Sequence, residues 1–350
     1  MAGSVQVAAV YAAFIGCLAL SACGPKTEQV EIRFPPVAGR AETAQLRCRG
    51  TLVDGKQEGE WIQWFANGQR ELQGSYRRGE KHGVFEEWFE SGTLRSRSAF
   101  EAGVENGPFT EWDEGGIVAA EGDLRAGLRE GLWTLRYGNG ELKNQSHWRR
   151  GQLHGRAREY DRSGALAWSG EYNADLRDGT WTEFSGSGAR RQQGCYRDGR
   201  KQGRWSVWYD HGQVQEEGEC VNGKRTGLWI EYHPSGAKSR EAPWKDGGVD
   251  GLSTEWHVNG VKASESNFVA GVQHGTLLTW FDNGLPDTQA VFQQGVLDGD
   301  FTKHWRSGGL ALRGKYSGGN REGPWLAWAE GGELDAASSG TYRAGLRIGD

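Results

Sequence analysis

The sequence lacks most of the features that mark enzymes, redox proteins and nucleic-acid-binding proteins. It has 41 Lys and Arg against 46 Asp and Glu, a net charge of −5, so an extended basic surface for nucleic acid or anionic lipid is not expected. Cysteine occurs five times, without a C-x-x-C pair, which argues against a zinc or redox centre. No G-x-S-x-G motif or P-loop is present. We therefore expect no enzymatic activity, no cofactor, no metal site and no nucleic-acid partner.

Long apolar runs are also absent, except at the N-terminus. Residues 7–20, VAAVYAAFIGCLAL, are too few to span a bilayer as a stable anchor, but they have the length of the apolar part of a signal peptide. The adjoining LSAC, Leu20 to Cys23, resembles the bacterial lipobox, in which cleavage precedes the cysteine and its sulfur receives a diacylglycerol. We predict a lipoprotein signal peptide over residues 1–22 and lipid attachment at Cys23. A non-lipidated secretory peptide or a plain anchor helix is the alternative.

The segment after the lipobox differs from the remainder of the chain. Residues 23–45 contain prolines, small residues and both signs of charge without periodicity, which predicts a flexible tether between the membrane and a domain over residues 46–350. Gly24 stands where an aspartate often signals retention in the inner membrane. We therefore expect an envelope protein on the outer membrane, facing the periplasm.

Aliphatic residues are too few for a thick core, whereas glycine (56) and tryptophan (17) are abundant and recur every 24 residues. We number each repeat from its first glycine, so that Gly55 is position 0 of the first of twelve repeats. Position 0 is glycine in every repeat except one, which has Asp175. Positions 4 and 13 are glycine in all twelve, beginning at Gly59 and Gly68. Such fixed glycines indicate positive φ or close backbone approach.

The glycines at positions 0, 4 and 13 predict a chain of β-hairpins. Position 13 often follows asparagine, as in Asn67-Gly68, which predicts a two-residue turn at positions 12 and 13. Positions 0 to 4, such as GEKHG at residues 79–83, predict a longer polar connection. The expected fold is all-β: an elongated, twisted antiparallel meander of about twelve 24-residue hairpins. A barrel or a propeller is the competing architecture.

Aromatic residues occupy positions 6, 9 and 21 in most repeats, and position 19 is always small. The predicted turn sets position 6 opposite position 19, as in Trp61 and Gly74, so that the ring can lie over the small residue. Positions 6 and 9 are an odd number of residues apart, so in a regular strand their side chains would point to opposite faces. Either a bulge intervenes, or the rings divide between the two faces of the sheet.

The pattern G-x-x-x-G-x-W-x-x-W/Y-x-x-x-G resembles the MORN repeat, in the long bacterial variant of the YwqK-family antitoxin type. DGKQEGEWIQWFANGQ and DGRKQGRWSVWYDHGQ carry it best, and the pattern extends from residue 54 to about 345. The resemblance implies a repeat fold without a catalytic signature, and a protein that binds a partner.

Other chemically active residues have structural interpretations. His82, His154 and His274 all precede the second glycine, where we expect turn residues rather than metal ligands. Glutamates recur at position 8, which predicts a solvated acidic stripe. Cys195 occupies position 20 of its repeat and Cys220 occupies position 21 of the next. Neighbouring positions in a strand point to opposite faces, so no disulfide is expected between them.

These observations predict a lipid-anchored interaction or scaffold protein of the cell envelope, possessing a repetitive β surface for an unidentified protein partner. The alternative is a lipoprotein that binds cell-wall glycan through a row of exposed rings. The candidate surface residues are the tryptophans at position 9: Trp64, Trp88, Trp112, Trp208, Trp256, Trp280 and Trp328.

Overall fold

The computed structural model describes residues 24–35 and 45–349. The predicted signal peptide and Cys23 lie outside these ranges. The described residues form one sheet of 28 antiparallel strands. The strands are β1 Thr27–Arg33, β2 Leu46–Val53, β3 Lys56–Trp64, β4 Arg70–Arg77, β5 Glu80–Trp88, β6 Leu94–Glu101, β7 Val104–Trp112, β8 Val118–Arg125, β9 Leu128–Arg136, β10 Leu142–Arg149, β11 Gln152–Tyr160, β12 Leu166–Asn173, β13 Leu176–Phe184, β14 Arg190–Arg197, β15 Arg200–Trp208, β16 Val214–Val221, β17 Lys224–Tyr232, β18 Lys238–Lys245, β19 Gly248–Val249, β20 Gly251–Trp256, β21 Lys262–Val269, β22 Val272–Trp280, β23 Pro286–Gln293, β24 Val296–His304, β25 Leu310–Ser317, β26 Asn320–Ala327, β27 Gly340–Arg343 and β28 Leu346–Gly349.

The sheet is a meander in which each strand pairs with its neighbours in the chain. β19 and β20 both pair with β18, because the strand is interrupted at Asp250. Among the described residues, β1 and β28 are the two edges and no pairing joins them. The predicted all-β meander of hairpin repeats is therefore confirmed, and a closed barrel is excluded for this part of the chain.

Strand β1 lies inside the segment that the sequence assigns to a tether. It pairs with β2 over seven residues, from Thr27 opposite Val53 to Arg33 opposite Leu46. This pairing extends the sheet beyond the first complete repeat. Residues 27–33 thus differ from the expectation of an unstructured linker.

The connection at position 0 is tighter than expected. Arg78 and Gly79 both have positive φ, 54° and 86°, and the residues on either side of them, Arg77 and Glu80, are paired. This is the conformation of a two-residue type I′ turn, which matches the twist of the flanking strands. The predicted polar connection GEKHG is therefore wrong, because residues 80–83 already belong to strand β5.

The connection at position 13 is longer than expected. The Phe65 amide donates to the Gln69 carbonyl over 2.9 Å, and the Gly68 amide donates to the Phe65 carbonyl over 3.0 Å. These bonds close a three-residue loop with Gly68 at φ 89°, so the prediction of a two-residue turn is wrong. The returning strand contains one extra residue, which restores the register. The predicted pairing of positions 6 and 19 is confirmed in Trp61 and Gly74.

The glycine at position 4 creates a bulge within a strand. Between β4 and β5, Gln73 pairs with Glu86 and Ser75 pairs with His82, so residues 83–85 all face the single residue Gly74. Gly83 has φ 81°, a conformation that costs glycine little. The bulge places the position 6 side chain directly above the small residue of the preceding repeat.

Candidate functional site

One face of the sheet, here called the aromatic face, carries the side chains at positions 2, 6, 19 and 21. Most of its position 6 rings are almost fully buried, with Trp205 3% exposed and Trp325 fully covered, whereas Phe109 and Phe301 are half-buried. A Cβ built on Gly194 would come within 2.2 Å of the Trp205 ring. Every position 6 tryptophan, and also Phe85, therefore lies on a glycine in the strand that precedes it, eleven residues earlier in the chain. The prediction that a ring covers the small residue of its own hairpin is corrected accordingly.

Glycine and large rings are matched along the whole sheet. Wherever position 6 is tryptophan, the residue eleven positions earlier is glycine; the pairs are Gly50–Trp61, Gly122–Trp133, Gly170–Trp181, Gly194–Trp205, Gly218–Trp229 and Gly314–Trp325. Wherever that earlier residue is serine or alanine, position 6 is phenylalanine or smaller: Ser98–Phe109, Ser146–Ala157, Ala242–Ser253, Ser266–Leu277 and Ala290–Phe301. A tryptophan on this face thus requires a neighbour without a Cβ.

Neighbouring side chains complete this core without a second sheet. The Tyr196 ring meets Trp205 edge to face, with 5.1 Å between ring centroids. The Lys201 ammonium lies 4.0 Å from the Trp205 centroid, and the Arg225 guanidinium lies 3.9 Å from that of Trp229. The aromatic face therefore covers itself, since cations from position 2 lie over rings that rest on the backbone.

The tryptophans at position 9 lie on the opposite face, here called the polar face. Arg49 pairs in register with Ile62, and its guanidinium lies 5.9 Å from the Trp64 ring centroid. Ile62 follows Trp61 in an unbroken strand, so Trp61 and Trp64 point in opposite directions. The aromatic residues are therefore divided between the two faces of the sheet, with position 6 on the aromatic face and position 9 on the polar face.

The seven candidate tryptophans at position 9 are all partly buried, and several are covered by a cation. Arg70 lies 5.8 Å from the Trp88 centroid, and Arg190 lies 5.2 Å from that of Trp208. The residues concerned are Trp64, Trp88, Trp112, Trp208, Trp256, Trp280 and Trp328. They form one row on the polar face, but they are not free-standing platforms. Their role in binding stays a prediction.

The centre of the polar face carries a continuous cross-strand row from positions 7 and 18. In its middle part the pairing runs from Gln145 to Arg158, Ser169, Thr182 and Gln193. This stretch is uncharged apart from Arg158. Nothing in the sequence marked these residues, because only the sheet register brings them together.

Exposed aliphatic side chains occur on the same face at position 5. Val84 and Leu132 are 54% and 47% exposed, and Leu228 and Leu252 are 53% and 47% exposed. Leu228 pairs with Pro243, which lies against the bulge of the following repeat next to Leu252. Leu228, Pro243 and Leu252 thus form one contiguous apolar patch on the polar face, whereas Val84 and Leu132 lie two repeats apart.

The histidines at position 3 are strand residues rather than turn residues, since His82 lies within β5 and His154 within β11. In the described part of the chain, no group of three or more His, Cys, Asp or Glu is placed to hold a metal ion. Cys195 is exposed and Cys220 is buried, and both are free thiols in this structure. Burial raises the pKa of the Cys220 thiol.

No helix within the described residues has the length and apolarity to cross a membrane.

The geometry above defines an open antiparallel repeat protein. Three segments, residues 57–78, 81–101 and 201–222, match the family described as MORN repeat variant. These segments contain the bulge and hairpin described above, so the chain carries MORN-type repeats. No curated protein matches the chain.

Similar solved structures include TcdB2-TccC3, with 9% identity over 91% of this chain and 20% of the other, at a TM-score of 0.17. Another is TcdB2-TccC3-Cdc42, with 12% identity over 86% of this chain and 17% of the other, also at 0.17. The chain spans about a fifth of the length of these proteins. Similarity at this level carries no functional argument.

Proposed function

We propose that this protein is a non-enzymatic scaffold of the cell envelope that binds another protein through its polar face. The aromatic face covers most of its position 6 rings with its own backbone, rings and cations, so these rings are not available to a partner. The polar face carries exposed side chains that differ from repeat to repeat. A long, rigid sheet with such a face suits recognition of an extended surface.

The observation that carries this proposal is the apolar patch formed by Leu228, Pro243 and Leu252. Leu228, Pro243 and Leu252 are contiguous across two repeats, and Leu228 and Leu252 are each about half exposed. Exposed apolar groups bordered by charged residues are typical of protein interfaces, where a buried centre is surrounded by a polar rim. Glu241 and Lys238 supply such a rim here, paired at 2.9 Å.

Lipid attachment at Cys23 would hold this scaffold at the membrane, on the outer membrane facing the periplasm. The LSAC sequence supports this part of the proposal. Replacing Cys23 with alanine should move the protein from the membrane fraction to the soluble fraction and abolish incorporation of labelled fatty acid. Unchanged membrane retention and labelling in Cys23→Ala would contradict lipidation.

The partner can be identified by photocrosslinking in cells. A benzoylphenylalanine at Leu228 or Leu252 should capture the same protein, whereas one at Leu128 should not. Leu128 is a suitable control because it is 48% exposed but lies at the turn edge, away from the patch. A toxin protein, which the antitoxin-type resemblance implies, would be recovered in the same way.

Two outcomes would contradict protein binding through this face. The first is the absence of any adduct from Leu228 and Leu252, and the second is an identical set of adducts from Leu128. Retention of the purified protein on cell-wall glycan, lost when Trp208 is replaced by alanine, would instead favour the glycan-binding alternative.

A further inference from the structure

The middle of the polar face contains a hollow lined by hydroxyl groups and two arginines. Its volume is about 240 Å³, and Arg156, Arg158, Ser169, Thr180 and Thr182 line it together with Glu171. Arg158 pairs with Ser169, which in turn pairs with Thr182, so these side chains stand side by side on three adjacent strands. Paired residues on adjacent strands have Cβ atoms about 5 Å apart. One small ligand can therefore contact all three.

Three of the polar side chains that line this hollow, Arg158, Ser169 and Thr182, have no hydrogen-bond partner among the described residues. Among the described residues, Arg158 forms no hydrogen bond, ion pair or ring contact, and the hydroxyls of Ser169 and Thr182 form no hydrogen bond. Thr182 is only 8% exposed, yet it lines the hollow. Its hydroxyl is therefore accessible to a ligand that enters the hollow.

Arginine 156 adds a second, weakly engaged cation. Its side chain is 77% exposed and lies 3.8 Å from Glu171, a distance too long for a strong pair. A second hollow of about 210 Å³ adjoins it, lined by Gln145 and His147. Both arginines thus stand between two depressions, and Glu171 is the carboxylate that lines the first of them.

We propose that this hollow, named here the hydroxyl–arginine hollow and formed by Arg156, Arg158, Ser169 and Thr182, binds an oxyanion. A phosphate or a carboxylate would accept hydrogen bonds from both hydroxyls while Arg158 supplies the opposite charge. A cation is disfavoured by two guanidinium groups, and an apolar ligand would leave the donors unsatisfied. The oxyanion can be a free anion or an acidic side chain of a protein, which share this chemistry.

The site can be tested by titrating isotope-labelled protein with inorganic phosphate, sodium acetate or a hexaglutamate peptide, while following backbone amides by NMR. Ionic strength is held constant with sodium chloride, because exposed charges are screened by salt. We expect saturable shifts at Ser169 and Thr182. Arg158→Gln should weaken binding about tenfold, and Thr182→Val, which retains the side-chain shape, should weaken it several-fold.

The matched control is Arg313→Gln. Arg313 occupies the same cross-strand row of the polar face, but it lies between Thr302 and Leu326 and lines none of these hollows. The variant should bind each probe as the unmodified protein does. Equal losses in Arg158→Gln and Arg313→Gln, or shifts that never saturate, would overturn the site.

The three probes distinguish the sources of the oxyanion. Saturable binding of phosphate or acetate alone supports a free anion, whereas binding of hexaglutamate alone supports an acidic partner protein. Competition between hexaglutamate and phosphate supports one site that accepts either. Failure of all three probes overturns the inference but leaves the crosslinking test at Leu228 and Leu252 unaffected.

Discussion

Substitution of Gly194 by alanine should test the ring-on-glycine core directly. The φ of Gly194 is not in the left-handed region, so alanine itself is compatible with the backbone. The new Cβ would stand 2.2 Å from the Trp205 ring, roughly 1.3–1.8 Å closer than carbon atoms normally approach. The ring must therefore move away from the sheet.

The size of the effect follows from this displacement. Overpacking of a core costs about 1–3 kcal/mol. Lifting the ring also exposes some of its surface, and exposing ~60 Å² would add about 1.5 kcal/mol. We expect Gly194→Ala to lower the free energy of unfolding by about 2.5–4.5 kcal/mol.

A second substitution should rescue much of this loss. The chain itself contains the pair Ala290–Phe301 at the equivalent positions. Combining Gly194→Ala with Trp205→Phe reproduces that pair, so the double variant should lose less stability than the sum of the single variants. The coupling should be at least about 1 kcal/mol, as is usual for residues in contact.

The assay is native-state hydrogen exchange at the amides of β14, β15 and β16, because a repeat array does not unfold as a single unit. Gly212→Ala is the control: Gly212 has φ 89° and open space around its Cβ position. That variant should cost about 1–2 kcal/mol through the backbone alone, with no rescue by Trp205→Phe. A neutral Gly194→Ala, or strict additivity with Trp205→Phe, would refute the reasoning.

Three further outcomes are expected. Arg225→Met removes the guanidinium over Trp229 and should reduce the local free energy of unfolding by about 1 kcal/mol, measured by native-state hydrogen exchange at the amides of β16 and β17; unchanged exchange would contradict this. The raised pKa of Cys220 keeps its thiol protonated near neutral pH, so iodoacetamide should modify the exposed Cys195 first, with Cys220 reacting only as the pH rises well above its usual pKa; equal rates by mass spectrometry would contradict this. Asn259→Ala removes a 2.7 Å bond to the next loop and should cost about 1 kcal/mol, with faster exchange of the loop amides; unaltered exchange would argue against the bond.

The repeat, the strand class and the pairing of positions 6 and 19 could be predicted because each depends on local periodicity. Turn types could not. Asn67-Gly68 fits a type I′ turn as well as a three-residue loop, and only the extra residue in the returning strand decides between them. The actual type I′ turns place residues such as Arg78 and Ala102 at positive φ, which their identity does not indicate.

The glycine on which each position 6 tryptophan lies could have been predicted from the sequence. Trp133 and Trp229 face Ser146 and Ala242 in their own hairpins, but Gly122 and Gly218 eleven residues earlier. Comparing position 6 with both neighbouring repeats would have revealed the match. The hydroxyl–arginine hollow, by contrast, assembles residues spaced eleven and thirteen positions apart, so it needs the sheet register.

Because the core is a single layer, the residues on the two faces of the sheet differ in how freely they can vary between repeats. A ring that rests on a glycine needs that glycine, as Trp205 needs Gly194, so the aromatic face has little freedom to vary between repeats. The polar face has no such partner to satisfy. Its exposed Leu228 and its unpaired Arg158 contribute nothing evident to the fold. Because exposed apolar surface is unfavourable for an isolated sheet, and because Arg158 is exposed without an ion pair, these are the residues that a binding partner would contact.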